Sequence, residues 1–467
     1  MVHNTSPEPW GSFMAKADTF MVQTEEHALQ GINPGGYYQA IWCRDASYIL
    51  QDWSLSGNTA AALQQLYLIW SHQIQPGREK LVYGRGSPAM KFMSEEANED
   101  KQKDFAGALP TTIYQAGFSE IYGQDPDIDS TALMISTTAW ILNKSLKSDS
   151  SSDRSPIVST TASENSADYV SGLLLKLGIT DPRKATDFLV PRMLRAVDYL
   201  ASRDIDGDGL LEQKHNEDWM DTVLRAGKIV YSQACWIRAL RNLSSLLVAI
   251  GKQNEYDRIT KMAEKAIQGV EQILWSEEDG AYIDIQETQY IGGPYRTLTQ
   301  DVSLYLVAIS ENSHRENLTN KREQGLPTEK TSEQILHRAN RTLDALKNRV
   351  WKKKWPLVTE VELKSTGPWI LKPYQYHNHT FWPWTTGFEM LARSRFDRLQ
   401  ECNQLLSTLT SESDLNMHAF YEWINPITEE GNGAFPFRTG ISAVRISVVD
   451  ILFSNIRKKR SAEASKK

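Results

Sequence analysis

Cysteine is nearly absent from this sequence. Cys43, Cys235 and Cys402 stand far apart with no CxxC pair. That spacing excludes a disulfide-stapled fold and offers no zinc site, and it points to a reducing, cytoplasmic compartment. No apolar run approaches the roughly 20 residues that a membrane span requires, so no membrane partner is expected. The opening residues, MVHNTSPEPWGSF, lack the apolar centre of a signal peptide. Positive charge is also short: 51 Lys and Arg against 58 Asp and Glu leave a formal net charge of −7. Nucleic acid is therefore not the expected partner. The 9 His are scattered and no DDxxD occurs, which counts against terpenoid cyclases and His-pair epimerases. No metal and no cofactor are expected.

What the chain has in quantity is tryptophan, 14 residues. Several stand beside acids or amides, in WCRD, EDWMD, FWPW and YEWINP. Trp beside acids in loops suits a carbohydrate cleft, because the indole covers the apolar face of a pyranose; a large helical core also uses Trp. Hydrophobic residues make up 40% of the 467, enough for a sizeable core.

Helical periodicity dominates the chain. It predicts helices over 12–29, 46–55, 59–73, 111–122, 130–146, 169–177, 182–202, 230–251, 256–274, 302–310, 332–350, from about 385, 398–410 and 441–456, with little strand. These fall mostly into consecutive pairs. Long aromatic and acidic loops recur at alternate connections, the pattern of a closed ring of helical hairpins. The expected fold class is all-α, a six-hairpin (α/α)6 toroid, with a single catalytic domain over 1–457. A Ser-rich stretch at about 146–167, with almost no large apolar residue, reads as a flexible surface excursion. Residues 458–467 read as a disordered basic tail.

The central stretch is EDWMDTVLRAGK, from Glu217 to Lys228. Glu217, Asp218 and Asp221 surround Trp219 and Met220 at the mouth of a helix. One of these acids, if buried, could hold a proton at neutral pH. The alternative is an acidic N-terminal cap. Just before it, Asp204, Asp206, Asp208 and Gly209 match the opening of a calcium loop. The twelfth position is His215, where a bidentate Glu is needed, so a tight acidic turn is the better reading. Arg44 and Asp45, after Trp42, sit at another helix start. Adjacent loop residues point apart, so one lines a site and the other braces it.

Four loops then stand out: GGYYQAIWCRDA, NEDWMDTVLRAGK, PYQYHNHTFWPWTTGF and YEWINPITEEGNGAFPFRTG. Together, over about 35–450, they resemble the six-hairpin (α/α)6-barrel glycosidases. The family they resemble most is the amylo-alpha-1,6-glucosidase domain of glycogen debranching enzymes. The shared elements are W-x-R-D, here Trp42 to Asp45; W-M-D with Gly227 and Lys228; Y-H-N-x-x-x-W-P-W, here Tyr376 to Trp384; and a late Glu, here Glu422. The resemblance implies Asp221 as general acid and Glu422 as general base, with Asp218 the rival acid and Glu217 a weaker one. It implies sugar contacts from Arg44, Asp45, His377 and Asn378. His377 fits a bonded core position equally well. Trp42, Trp219, Trp382, Trp384 and Trp423 are the expected pocket walls. Two carboxyls, one protonated and one ionised, are what glycoside hydrolysis needs.

No glucanotransferase region and no starch-binding module accompanies these loops. The late loop also resembles those of trehalases and of glucosidases acting on small glycosides. The expectation is an inverting exo-acting alpha-glycosidase acting on an alpha-glucan or oligosaccharide. The alternatives are a hydrolase of glucosylglycerate, mannosylglycerate or trehalose, and an inactive carbohydrate-binding protein.

Overall fold

A computed structural model describes residues 9–25, 32–76, 105–114, 117, 119–122, 125–150, 182–286, 295–310, 329–363, 371–410 and 417–464. Among them are twelve α-helices: α1 (Pro9–Glu25), α2 (Cys43–Leu55), α3 (Thr59–Ser71), α4 (Ile128–Ser150), α5 (Pro182–Ala201), α6 (Val230–Ala249), α7 (Gln253–Gly269), α8 (Ser303–Ser310), α9 (Glu329–Ala345), α10 (Pro383–Arg395), α11 (Leu399–Thr410) and α12 (Arg438–Ala464).

Six of them close a ring. α2 packs on α4, α4 on α6, α6 on α8, α8 on α10, α10 on α12, and α12 back on α2. The others lie outside: α3 against α2, α5 against α4, α7 against α6, α11 against α10 and α1 against α12. α9 precedes α10 and runs into a π-turn, Leu346–Val350. This is the all-α toroid that the paired periodicity predicts. The inner helices explain why the ring can be tight. α6 is buried over nearly all of its first three turns, and Gly387 of α10 lies against Val444 of α12, where an added Cβ would stand 3.2 Å from the Val444 Cα.

Three inner-to-outer links, 56–58, 250–252 and 396–398, are short, whereas 151–181 and 311–328 are longer. The outer-to-inner links are long, and they bring the N-terminal ends of the inner helices together at one end of the ring. α10 starts at Pro383, whose fixed φ and missing N–H suit the first helical position. α6 starts at Val230, whose N–H donates to Asp284 Oδ1 at 2.9 Å.

Short strands of two or three residues fasten these loops. β1 (Ile41–Trp42) pairs with β2 (Thr112–Ile113), and β2 with β3 (Ser119–Glu120). This corrects the expected helix at 111–122: the β-branched pair Thr112–Ile113 joins a sheet, and Gly117 takes φ +82°. β4 (Gly227–Lys228) pairs with β7 (Asp284–Gln286), and β11 (Trp423–Ile424) with β12 (Gly431–Asn432). Helix α4 runs through Ser150, into the start of the expected Ser-rich excursion. Residues 151–167 and the expected helix at 169–177 lie outside the described residues. α12 continues to Ala464, through most of the span that composition assigns to a disordered tail.

Candidate active site

All six inner helix starts feed one cavity or its supports. The cavity holds about 490 Å³ of empty space, counting space open to solvent at its mouth. Its lining includes Trp42, Arg44 and Asp45 from the start of α2, and Trp219 and Asp221 from the loop before α6. It also includes Tyr376, His377, Trp382 and Trp384 around the start of α10, and Glu422, Phe437 and Thr439 around the start of α12. α4 and α8 contribute from beneath. Asp129, in the first turn of α4, accepts from Arg44 Nε at 2.5 Å and from Arg44 Nη2 at 3.1 Å, and Asp127 accepts from Arg44 Nη2 at 3.2 Å. Asp301, before α8, accepts from Trp219 Nε1 at 2.7 Å.

The walls are aromatic. Trp219 meets His377, Trp382 and Trp384 edge to face at ring separations of 5.0, 5.2 and 4.7 Å. Trp42 stacks on Tyr122 at 4.7 Å. Such mutually braced rings are a rigid apolar platform for the face of a sugar. The loop before α10 reaches the cavity through left-handed backbone at Tyr374, Tyr376 and His379, with φ +64°, +49° and +55°, a sparsely populated conformation for such residues.

Asp221 is the most strongly perturbed carboxyl facing the cavity. Its side chain is one-third exposed, toward the cavity, but the surrounding protein desolvates it and pushes its pKa to about 7; Arg44 opposes this, and Asp218 and Glu422 add to it. His377 Nδ1 lies 3.9 Å from Asp221 Oδ1 and 2.8 Å from Thr222 Oγ1. Burial, with Arg44 and Arg225 nearby, holds His377 well below its usual range, so the imidazole is neutral and its contact with Asp221 is not an ion pair.

Glu422 is almost fully buried, and each carboxylate oxygen accepts two hydrogen bonds. Oε1 accepts from Tyr38 at 2.7 Å and from Tyr376 at 3.2 Å. Oε2 accepts from the Ala434 N–H at 2.7 Å and from Tyr37 at 3.1 Å. Burial raises the pKa of Glu422, and these four bonds pull it back. Gly433 makes the arrangement possible. It takes φ +75°, and a Cβ there would stand 2.2 Å from Glu422 Oε2. Asp45, held by the Thr439 hydroxyl at 2.6 Å, is pushed by burial to about 6. Asp221 and Glu422, two carboxyls in different surroundings, thus face one aromatic cavity, an arrangement that general acid–base chemistry can use.

Of the residues expected from sequence, Trp42, Arg44, Asp45, Trp219, Asp221, His377, Trp382, Trp384 and Glu422 line this cavity. Asp218, Asn378 and Trp423 do not. Asp218 is braced by Arg225 at 3.0 Å, Gln213 Nε2 at 3.0 Å and the Met220 N–H at 2.9 Å. Asn378 donates to the Leu371 carbonyl at 3.4 Å. Trp423 belongs to strand β11. Glu217 is also turned away, paired with Arg203 at 2.8 Å. Tyr38, Tyr48, Phe437 and Thr439 line the cavity without having been singled out from sequence. Two lysines bond the acidic turn before the site. Lys228 Nζ bonds Asp206 at 2.6 Å and also bonds Asp208, and Lys265 Nζ bonds Asp204 at 3.1 Å.

No family model matches the chain, and no curated protein matches it in sequence. Solved structures do match in fold. A GH63 mannosylglycerate hydrolase from Thermus thermophilus, in complex with Tris and D-glycerate, is 17% identical with TM-score 0.58, covering 92% of this chain and 98% of that one. The same hydrolase in complex with glucose is 16% identical with TM-score 0.56, over 93% and 99%. A rhamnosidase from Klebsiella oxytoca with rhamnose bound is 12% identical with TM-score 0.55, covering 97% of this chain and 65% of that one. The fold is therefore one that solved glycosidases share along nearly the whole of this chain.

Proposed function

We propose that this protein is an inverting, exo-acting alpha-glycosidase, with Asp221 as general acid and Glu422 as general base. The observation that carries the reading is that these two carboxyls face the same tryptophan-walled cavity in different surroundings: burial raises both above their ordinary range, and Glu422 is in addition held by four hydrogen bonds that offset part of its rise. Asp221, pushed to about 7, still holds a proton near neutrality. Glu422 accepts four hydrogen bonds that favour its charged form. A sugar ring seated against Trp219 and its aromatic neighbours would present its glycosidic oxygen to Asp221. Bond cleavage would develop oxocarbenium character at the anomeric carbon, and Glu422 would take a proton from the attacking water. Asp45 would accept hydroxyl protons of the same ring.

Two substrate classes fit. One is a terminal alpha-glucosidic bond of an alpha-glucan or oligosaccharide, amylo-alpha-1,6-glucosidase-like. The other is a small glycoside such as glucosylglycerate, mannosylglycerate or trehalose. The name of the fold neighbour, a mannosylglycerate hydrolase, supports the second class. Sugar release from maltose, isomaltose, trehalose, glucosylglycerate, mannosylglycerate and limit dextrin tests both. Release from at least one, lost in Asp221→Asn and in Glu422→Gln, is the expected result. Sugar binding with no release from any would overturn the reading in favour of an inactive carbohydrate-binding protein.

A further inference from the structure

Two of the four hydrogen bonds that hold the carboxylate of Glu422 come from a segment almost four hundred residues away in sequence. Residues 33–38 lie between α1 and β1 and dock on residues 434–438. The Arg438 N–H donates to the Pro34 carbonyl at 2.7 Å, and Arg438 Nη1 donates to Asn33 Oδ1 at 2.9 Å. Gly35 and Gly36 take φ +93° and +56°. Added Cβ atoms there would stand 2.3 Å from the Pro436 carbonyl oxygen and 2.7 Å from the Ala434 Cβ. The backbone contact therefore requires both glycines. The segment ends in Tyr37 and Tyr38, and both hydroxyls donate to Glu422, one to each oxygen. Tyr37 is 61% exposed as a residue, but partial desolvation of its hydroxyl and the neighbouring charge of Glu422 push it up to about 12, and Tyr38, which is buried deeper, is raised as well. Both keep their protons and act as donors.

Tyr37 does not line the cavity, whereas Tyr38 does. Tyr37 therefore acts on the site through Glu422 and through Tyr38, whose ring lies 4.7 Å from its own. Such a carboxylate has about four acceptor positions, and the four bonds fill them. Tyr38 and Tyr376, the partners of Oε1, both line the cavity, so Oε1 is the oxygen that faces it. Ala434 and Tyr37 hold Oε2 behind it.

We propose that Tyr37 and Tyr38 are positioning residues that aim Glu422 Oε1 into the cavity and keep its carboxylate in the accepting, ionised form. The role assigned to Glu422 rests on the general base of the proposed function, but the bond set does not depend on it. On the binding of substrate, the attacking water takes the acceptor position on Oε1 held by the longest of its bonds, that of Tyr376 at 3.2 Å. Tyr38 and Tyr37 retain the carboxylate while that exchange occurs. The other titratable groups facing Glu422 are Tyr376 before α10, Asp45 at the start of α2 and Asp221 before α6.

The test has an arm independent of turnover. The titration of Glu422 is followed by NMR of glutamate labelled with ¹³C at Cδ, its signal assigned by its loss in Glu422→Gln. Tyr37→Phe and Tyr38→Phe should each raise the pKa of Glu422 by roughly one to two units, the size of one hydrogen bond to a charged group. Tyr67→Phe, on α3, should leave it in place. On any substrate found to be cleaved, the acid limb of kcat/KM should move up by the same amount in Tyr37→Phe. In that variant kcat near pH 6 should fall several-fold while KM changes by less than about threefold. An unchanged Glu422 titration in both variants overturns the proposal, whether or not the protein hydrolyses glycosides. So does a change confined to KM in Tyr37→Phe. If no glycoside is cleaved, the NMR arm still decides on the clamp, and the failure then belongs to the proposed activity alone.

Discussion

At the scale of residues, the account turns on two carboxyls with different surroundings. Asp221→Asn cannot donate a proton, so activity on ordinary glycosides should fall by about 10²–10⁴-fold. The loss should shrink on glycosyl fluorides, whose leaving group needs little protonation. Glu422→Gln should lose activity on both, because water must be activated whatever departs. Steady-state kinetics on the paired substrates checks this. Asp221 also makes a prediction for stability. Its folded pKa, about 7, lies above its ordinary 3.8, so between those values the folded chain binds more protons than the unfolded one. Its contribution to stability is therefore fully present below about pH 4 and is lost as pH rises through about 7. Asp221→Asn removes that dependence. The variant should melt at a higher temperature than the parent protein at pH 8, and the gap should close at pH 4. Thermal melts at the two pH values measure it. The basic limb of kcat/KM should likewise fall near pH 7, where Asp221 gives up its proton.

At the scale of elements, the site is a set of helix starts joined by buried charge networks. Arg225 is the densest junction, bonding Asp218 at 3.0 Å, Asp284 at 2.9 Å and Asp301 at 2.9 Å. It thereby ties the loop before α6 to β7 and to the loop before α8, and through Asp301 it fixes Trp219. Arg225→Met should cost about 3–5 kcal/mol at pH 7, because it leaves buried carboxylates uncompensated. The cost should be smaller near pH 4.5, where burial already favours protonated Asp218 and Asp284. Urea melts at both pH values test this. Motifs local to one helix start could be read from sequence, since WCRD, DWMD and HNHTFWPW carry their chemistry within a few residues. Asp218 could not be told from Asp221 that way. Only the fold shows that the first faces Arg225 and the second the cavity. Tyr38 and Thr439 were missed for a related reason. Each acts on a residue nearly four hundred positions away, Glu422 and Asp45 respectively, and nothing in the local pattern marks such a pair. The 111–122 stretch misled because its apolar spacing suits a helix, while pairing with Ile41–Trp42 fixes it as strand.

At the scale of the molecule, the ring was legible because its helices keep their 3.6-residue pattern in consecutive pairs and because long aromatic and acidic loops lead into the inner helices. What periodicity does not encode is which helix starts approach each other across the ring. Closure of α12 on α2 decides that, and it brings Glu422 into the cavity that Asp221 lines. The proposed acid and base would act from opposite sides of one sugar, with a water between them, and that proposal has a stereochemical consequence. Inverting enzymes hold the two carboxyls about 6.5–9.5 Å apart, whereas retaining enzymes hold them about 5–5.5 Å apart. Proton NMR of the sugar first released from an alpha-glycoside is therefore the most direct measurement. The account predicts the beta anomer, converting to the equilibrium mixture only afterwards by mutarotation. An alpha anomer appearing first would mean retention and would contradict the role of Glu422 as a base acting through water.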